Sequence, residues 1–290
     1  MGDLVKKVVA TAPGKAAFKV VQPFIHLSRR ILHPSVPSTH KITTVAYGSK
    51  TFNVFHRRTF QDVCVIQQSF DERQYDMPDR EHGKHLDRLY QQIVDSGRQP
   101  LIVDCGANIG ASVLWFNARY PKSHIVAIEP APDNLNILKR NIAGLDVDLI
   151  EGGISGSDGS AHLLATGGGS YAYQTVQFGD GVEIRMVSLT TILNVKPDSL
   201  YVPFILKIDI EGSEHSLFSG DTSAFNRFPL ILMEPHDWML PGQRSSLPFF
   251  RFHTDAGREF ALKNEIIASI DVEGMAKPAS QNSVVTAAAH

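Results

Sequence analysis

Three short runs, 101–103, 125–128 and 204–208, are apolar almost throughout, and each is bounded by turn or charged residues. Runs of this length suit strands buried on both faces of a parallel sheet. Between them the pattern changes to helical spacing over 111–120 and again from Asp133 and Asn134 to about Ala143. Further strands are expected at 147–150, 182–187 and 230–233, with a terminal hairpin over 258–270 turning at Asn264. Ser188 reads as the cap of a short helix, and Ser213 as the cap of another. Strands alternating with helices predict an α/β chain with a doubly wound, Rossmann-like sheet. Ahead of it, 43–69 reads as short strands, 70–76 as a polar surface loop, and 79–96 as a helix with Leu86, Leu89, Tyr90 and Ile93 on one side.

The chemistry concentrates where the first strand ends. Asp104 closes the run, Gly106 and Gly110 bracket a tight turn, and a helix follows. Strand, glycine turn and helix bring backbone N–H groups to a ligand, and Gly106 is expected to let the backbone approach it closely. The turn is not the nicotinamide fingerprint, because Asn108 stands where the second glycine is needed. No P-loop spacing occurs. The second strand ends at Glu129, followed by Pro130. An acid about twenty-five residues after Asp104 is placed to accept hydrogen bonds from ribose hydroxyls. Lys207, Asp209 and Glu211 are two apart and share a phase in extended chain. Lys207 is expected to support the site through an ion pair, because a lysine inside such a strand is costly unless partnered. Asp209 is expected to face the ligand. The fifth strand ends at Glu234, Pro235 and His236, beside Asp209 in the expected strand order.

Asp104, Gly106, Ala107, Asn108 and Gly110 together resemble motif I of class I S-adenosylmethionine-dependent methyltransferases. The Gly-Ala-Asn variant resembles the FkbM type. Ile128 to Pro130, Val187 to Leu189, and the stretch from Lys207 to Glu214 match that family in order. The resemblance spans roughly 101–270. It implies a class I methyltransferase sheet with a terminal antiparallel hairpin and an N-terminal strand and helix extension. It implies S-adenosylmethionine bound by Asp104, Gly106, Asn108, Gly110, Glu129 and Asp209, with Ile154 packed on the adenine and Ser155 at its edge. The implied reaction is O-methylation of a sugar, glycan, glycolipid or natural product. His236 is the expected base, with Asp209 and Glu234 fixing the acceptor. A metal-assisted variant remains open, in which Asp209, Glu234 and His236 hold Mg²⁺ or Mn²⁺ through hard ligands. Two further alternatives are a protein or nucleic-acid acceptor and a non-catalytic cofactor-binding protein.

The rest of the sequence narrows the setting. The chain has 290 residues and a formal charge of −2. The near-neutral balance gives no electrostatic case for nucleic acid. Cys64 and Cys105 form neither a disulfide framework nor a zinc site. No apolar run reaches the length of a membrane span. Segment 1–41 is basic, with Lys6, Lys7, Lys15, Lys19, Arg29, Arg30 and Lys41 against Asp3. It reads as a packing helix or as a helix on an anionic membrane. Lys15 and Lys19 interrupt any secretory core, and a cytoplasmic enzyme in peripheral contact with a membrane is the expectation. The organisation expected is a basic segment (1–41), an extension (42–97), the sheet domain (98–273) and a flexible tail (274–290).

Overall fold

The computed structural model describes residues 40–77, 81–165, 173–176, 181–273 and 275. The expectations for the basic segment and the tail therefore fall almost wholly outside the described residues. Among the described residues no helix is long and apolar enough to cross a membrane.

The central sheet has seven strands. β3 (Gln99–Cys105), β4 (His124–Glu129), β5 (Val147–Glu151), β10 (Tyr201–Ile208) and β11 (Leu230–Met233) run parallel, and β12 (Glu259–Lys263) with β13 (Ile266–Ile270) forms the terminal hairpin. The spatial order is β12-β13-β11-β10-β3-β4-β5, with β13 antiparallel to both neighbours. The chain starts at the centre with β3, winds outward through β4 and β5, then returns to the other side of β3 with β10. This is the doubly wound, Rossmann-like fold expected, and its ligand crevice opens where the winding reverses. The alternation of side chains along β3 divides the core. Ile102 faces the layer of α3 (Ala111–Arg119) and α4 (Pro132–Asn141). Leu101, Val103 and Cys105 face α5 (Leu189–Asn194), α6 (Glu214–Phe218) and α7 (Leu247–Asp255).

A second sheet sits beside the crevice. It is built from β6 (Gly153–Ser155), β9 (Val182–Ser188), β7 (Gly159–Ala165) and β8 (Tyr173–Val176), in that spatial order. Ser188 caps α5 by accepting the amide of Thr191, as expected. Ser213 stands at the cap position of α6, but its side chain makes no capping bond, and Glu214 Oε1 accepts the amide of Gly212 instead.

The extension differs from its expected form. β1 (His40–Tyr47) and β2 (Lys50–Arg57) make an antiparallel hairpin, but 60–70 is a helix, α1 (Phe60–Phe70), not a strand. Thr59 caps it by accepting the amide of Asp62. Asp62 is then buried against Arg57, whose Nη2 lies 2.8 Å from Oδ1 while Nε and the backbone amide donate to Oδ2. That bidentate pair holds the first turn of α1 in place. Val54, Ile66 and Phe70 join the core beneath α3. The expected surface loop after α1 also packs inward, since Tyr75 is buried edge-on to Trp115. The helix α2 (Glu81–Asp95) follows, buried through Leu86 and Ile93.

Candidate active site

Residues of β3 and β10 pair in register, Lys207 opposite Asp104 and Ile208 opposite Cys105. Beyond the strands the backbones stay close. The amide of Asp209 donates to Cys105 O at 3.1 Å, and the amides of Gly106 and Ala107 donate to Ile128 O. Gly106 has φ +82°, and a Cβ there would lie 1.8 Å from the carbonyl oxygen of Asp209. The glycine is therefore required by the approach of two protein backbones, and not, as the sequence suggested, by a ligand alone.

Lys207 and Asp104 are both buried below this turn. Lys207 Nζ lies 3.1 Å from Asp104 Oδ1 and 3.4 Å from Asp209 Oδ2, and donates to Gly106 O at 2.7 Å. The two carboxylates hold the ammonium charged, moving its pKa well above the ordinary lysine value against the opposing effect of burial. Ser112 Oγ donates to Asp104 Oδ2 at 2.5 Å. Asp104 is fully buried, so its charge braces the turn from behind.

Glu129 closes the opposite wall. Its Oε1 accepts from the amide of Ala131 (2.9 Å) and from Asn134 Nδ2 (3.1 Å), and its Oε2 accepts from the amide of Asn108 (2.8 Å). Three donors on a carboxylate with about four acceptor positions leave one position on Oε2. Burial raises the pKa of Glu129, while these hydrogen bonds act the other way. Asn134 in turn accepts from Arg57 Nη2 at 2.8 Å. The hairpin of the extension is thus tied through Arg57 and Asn134 to Glu129.

Gly106, Asn108, Glu129, Ile154 and Asp209 line one cavity at the carboxyl ends of the strands. Three other residues expected there do not. Asp104 lies behind the wall. Gly110 (φ +86°) faces α4, where a Cβ would meet Leu138 Cδ1 at 2.7 Å. Ser155 lines an adjoining cavity instead. The sequence reading missed Leu163 and Met186, which complete the apolar wall around Ile154 from β7 and β9. Only the antiparallel excursion brings them there, and nothing in their local pattern marks them. Glu211, placed by the sequence in phase with Lys207 and Asp209 but assigned no role, lines the cavity from a left-handed turn (φ +53°) and not from an extended strand.

His236, Asp209 and Glu234 do converge. One ligating atom from each lies within 4.8 Å of the others. His236 is only 2% exposed and does not line the cavity. Its Nδ1 lies 2.7 Å from Glu214 Oε1, a buried partner that the sequence reading assigned no role. The signal for Glu214 was an acid in the first turn of a helix, three residues after Glu211. Against the opposing effect of burial, the hydrogen bond to Glu214 and the nearby Asp209 and Glu234 carboxylates push the imidazole pKa up to about 10. His236 is thus found paired with Glu214 behind the cavity, whereas the sequence led to the expectation of a base facing the acceptor.

The chain matches the model of the FkbM methyltransferase domain over residues 104–260. It is 30% identical over 162 residues to the methyltransferase sdnD of Sordaria araneosa, covering 44% of this chain and 62% of that protein. It is 28% identical to methyltransferase 1 of Beauveria bassiana, covering 47% and 63%. The match thus spans somewhat less than two thirds of either relative. Among solved structures, the O-methyltransferase from Bacillus cereus in complex with SAH aligns at 10% identity and a TM-score of 0.32, covering 72% of this chain and 91% of that one. With its motifs at the carboxyl ends of a doubly wound sheet and a family match over more than half its length, the chain belongs to the FkbM methyltransferase family.

Proposed function

We propose that this protein transfers the methyl group of S-adenosylmethionine to a hydroxyl of a polyhydroxylated acceptor, such as a sugar, a glycan, a glycolipid or a natural product. The observation that carries the reading is the single cavity on which Gly106, Asn108, Glu129, Ile154 and Asp209 converge in a chain of this family. The residues fit the cofactor chemically. Ile154, Leu163 and Met186 offer an apolar wall to a flat base, and the remaining acceptor position of Glu129 Oε2 suits a ribose hydroxyl. When bound, the cofactor supplies a methyl group already activated on a sulfonium. The chain then has two tasks, to align the acceptor oxygen and to exclude water, and orientation of this kind is worth effective molarities of ~10⁵ M or more. Asp209 and Glu234 stand at the strand ends, where they can fix the acceptor.

The adjoining cavity supports the acceptor class. It shares Met186 and Ser213 with the first cavity, and Ser155, Ser157, Ser160, Ser216, Gln243 and Ser245 also line it. Ser245 is 1% exposed, and its hydroxyl has no hydrogen-bond partner among the described residues. A wall of hydroxyls and an amide matches the alternating donors and acceptors of a polyol.

Two measurements test the reading. Calorimetric titration of S-adenosylhomocysteine into the protein is expected to show one site. Glu129→Ala is expected to weaken it by roughly tenfold to a hundredfold, the range for a hydrogen bond to a charged group worth ~1.5–3 kcal/mol. Unchanged affinity in the variant would remove the ribose assignment, and tight NAD binding by the wild type would overturn the class. With radiolabelled S-adenosylmethionine and a mixed panel of acceptors, label is expected on polyols. Label confined to amines, protein or nucleic acid would refute the hydroxyl acceptor.

A further inference from the structure

The cluster behind the cavity has an arrangement that direct ion pairing does not explain. His236 Nε2 faces Asp209 Oδ1 at 3.6 Å, Glu234 Oε1 at 3.7 Å and Glu211 Oε2 at 3.9 Å. These separations exceed hydrogen-bond length. The oxygens surround Nε2 without bonding to it. Glu234 is only 7% exposed, and no described residue donates a hydrogen bond to it. A buried carboxyl group without a donor keeps a proton or takes a cation, because a bare charge there is costly. The surrounding network brings five carboxyl groups, of Asp104, Asp209, Glu211, Glu214 and Glu234, around Lys207 and His236. Lys207 is already shared between Asp104 and Asp209.

We propose that Asp209, Glu234 and His236 bind one divalent cation, which displaces the proton of His236 Nε2 to solvent, with Glu214 orienting the imidazole from behind. The inner atoms suit the task. Donors at right angles around a small divalent cation, with bonds of ~2.1 Å, stand about 3 Å apart. The observed separations therefore close onto a cation through small side-chain movements. The pairing of His236 Nδ1 with the buried Glu214 is the support that metal-ligating histidines ordinarily have, and it turns Nε2 toward the carboxylates. Two carboxylates and one imidazole favour Mn²⁺ or Mg²⁺ over a thiophilic ion. Asp209 lines the cofactor cavity, so the cation would lie at its edge, open to an acceptor hydroxyl. A coordinated hydroxyl loses its proton more readily, because the cation stabilises the alkoxide. The use of the cation in methyl transfer rests on the function proposed above, whereas the binding site does not.

The test uses the full chain, freed of metal with EDTA and dialysed. Manganese chloride is titrated in while the electron paramagnetic resonance signal of free Mn²⁺ is followed. S-adenosylhomocysteine binding is measured on the same samples by calorimetry. The wild type is expected to take up one Mn²⁺ per chain. Glu234→Gln and Asp209→Asn, which remove charge at nearly constant shape, are expected to bind it at least tenfold more weakly. Asp209 is the more exposed of the two and carries the comparison if Glu234→Gln does not fold. No saturable uptake by the wild type, or wild-type affinity in the folded variants, overturns the cation site. If S-adenosylhomocysteine binds in those samples, the methyl-transfer reading survives that failure. Uptake of Mn²⁺ without any S-adenosylhomocysteine binding supports the site and overturns the function.

Discussion

Lys207→Met is expected to cost ~3–5 kcal/mol of stability, among the largest single losses available in this chain. Asp104 is fully buried, and without the ammonium its carboxylate keeps, among the described residues, only the hydroxyl of Ser112. The loss is the cost of stranding that charge, since methionine fills most of the vacated volume. The same substitution removes the donor to Gly106 O, so the turn should loosen with it. Urea denaturation monitored by circular dichroism measures the change directly. The double variant Lys207→Met, Asp104→Leu should recover much of the loss, because well-packed apolar residues can replace a buried ion pair at little cost. A single-variant loss under 1 kcal/mol would refute the buried ion pair as the source of the cost.

Gly106→Ala should be nearly as damaging, and Gly110→Ala much less so. Both glycines have a positive φ, so alanine costs ~1–2 kcal/mol at either position on backbone grounds. Their surroundings separate them. At Gly106 the new methyl meets a backbone carbonyl at 1.8 Å, which can yield only if the ends of β3 and β10 part. At Gly110 it meets the tip of Leu138, which can rotate away. Gly106→Ala is therefore expected to lose about 3 kcal/mol or more and to abolish S-adenosylhomocysteine binding, since Gly106 and Asp209 both line the cavity. Gly110→Ala should keep binding within a few-fold. Thermal melts and calorimetry on the pair distinguish the cases, and equal behaviour would refute the steric argument.

The sheet was legible because burial on both faces leaves a strong signal, namely short apolar runs broken by glycine, proline or an acid. β3, β4, β10 and β11 carry it, and the adjacency of Asp104, Asp209 and Glu234 follows from strand order alone. α1 was not legible. Val63, Val65 and Ile66 favour strand locally, and what decides for helix is a cap at Thr59 and a buried pair between Asp62 and Arg57. Those are tertiary facts. The same holds for His236. The sequence shows a histidine with a suitable ordinary pKa, but Glu214, which alters it, lies 22 residues away on another element. Ser155 was displaced from its expected place because β6 pairs with β9 and the cavity wall turns there. Glycine at 106 was expected to admit a ligand, but what its missing Cβ admits is a carbonyl of β10's own continuation.

The link from Asp62 through Arg57 and Asn134 to Glu129 bears on how the protein can be shortened. Similarity to the family begins at residue 104 and ends at residue 260. A fragment cut at those points would lack most of β3, all of β13, and Arg57 itself. Asn134 would lose its donor from the hairpin, and Glu129 would be held by one restraint fewer. A fragment that keeps this link is therefore wider than the stretch matched by the family. Its upstream boundary lies before β1, in sequence that carries none of the family's motifs yet anchors Glu129, the residue proposed to meet the ribose.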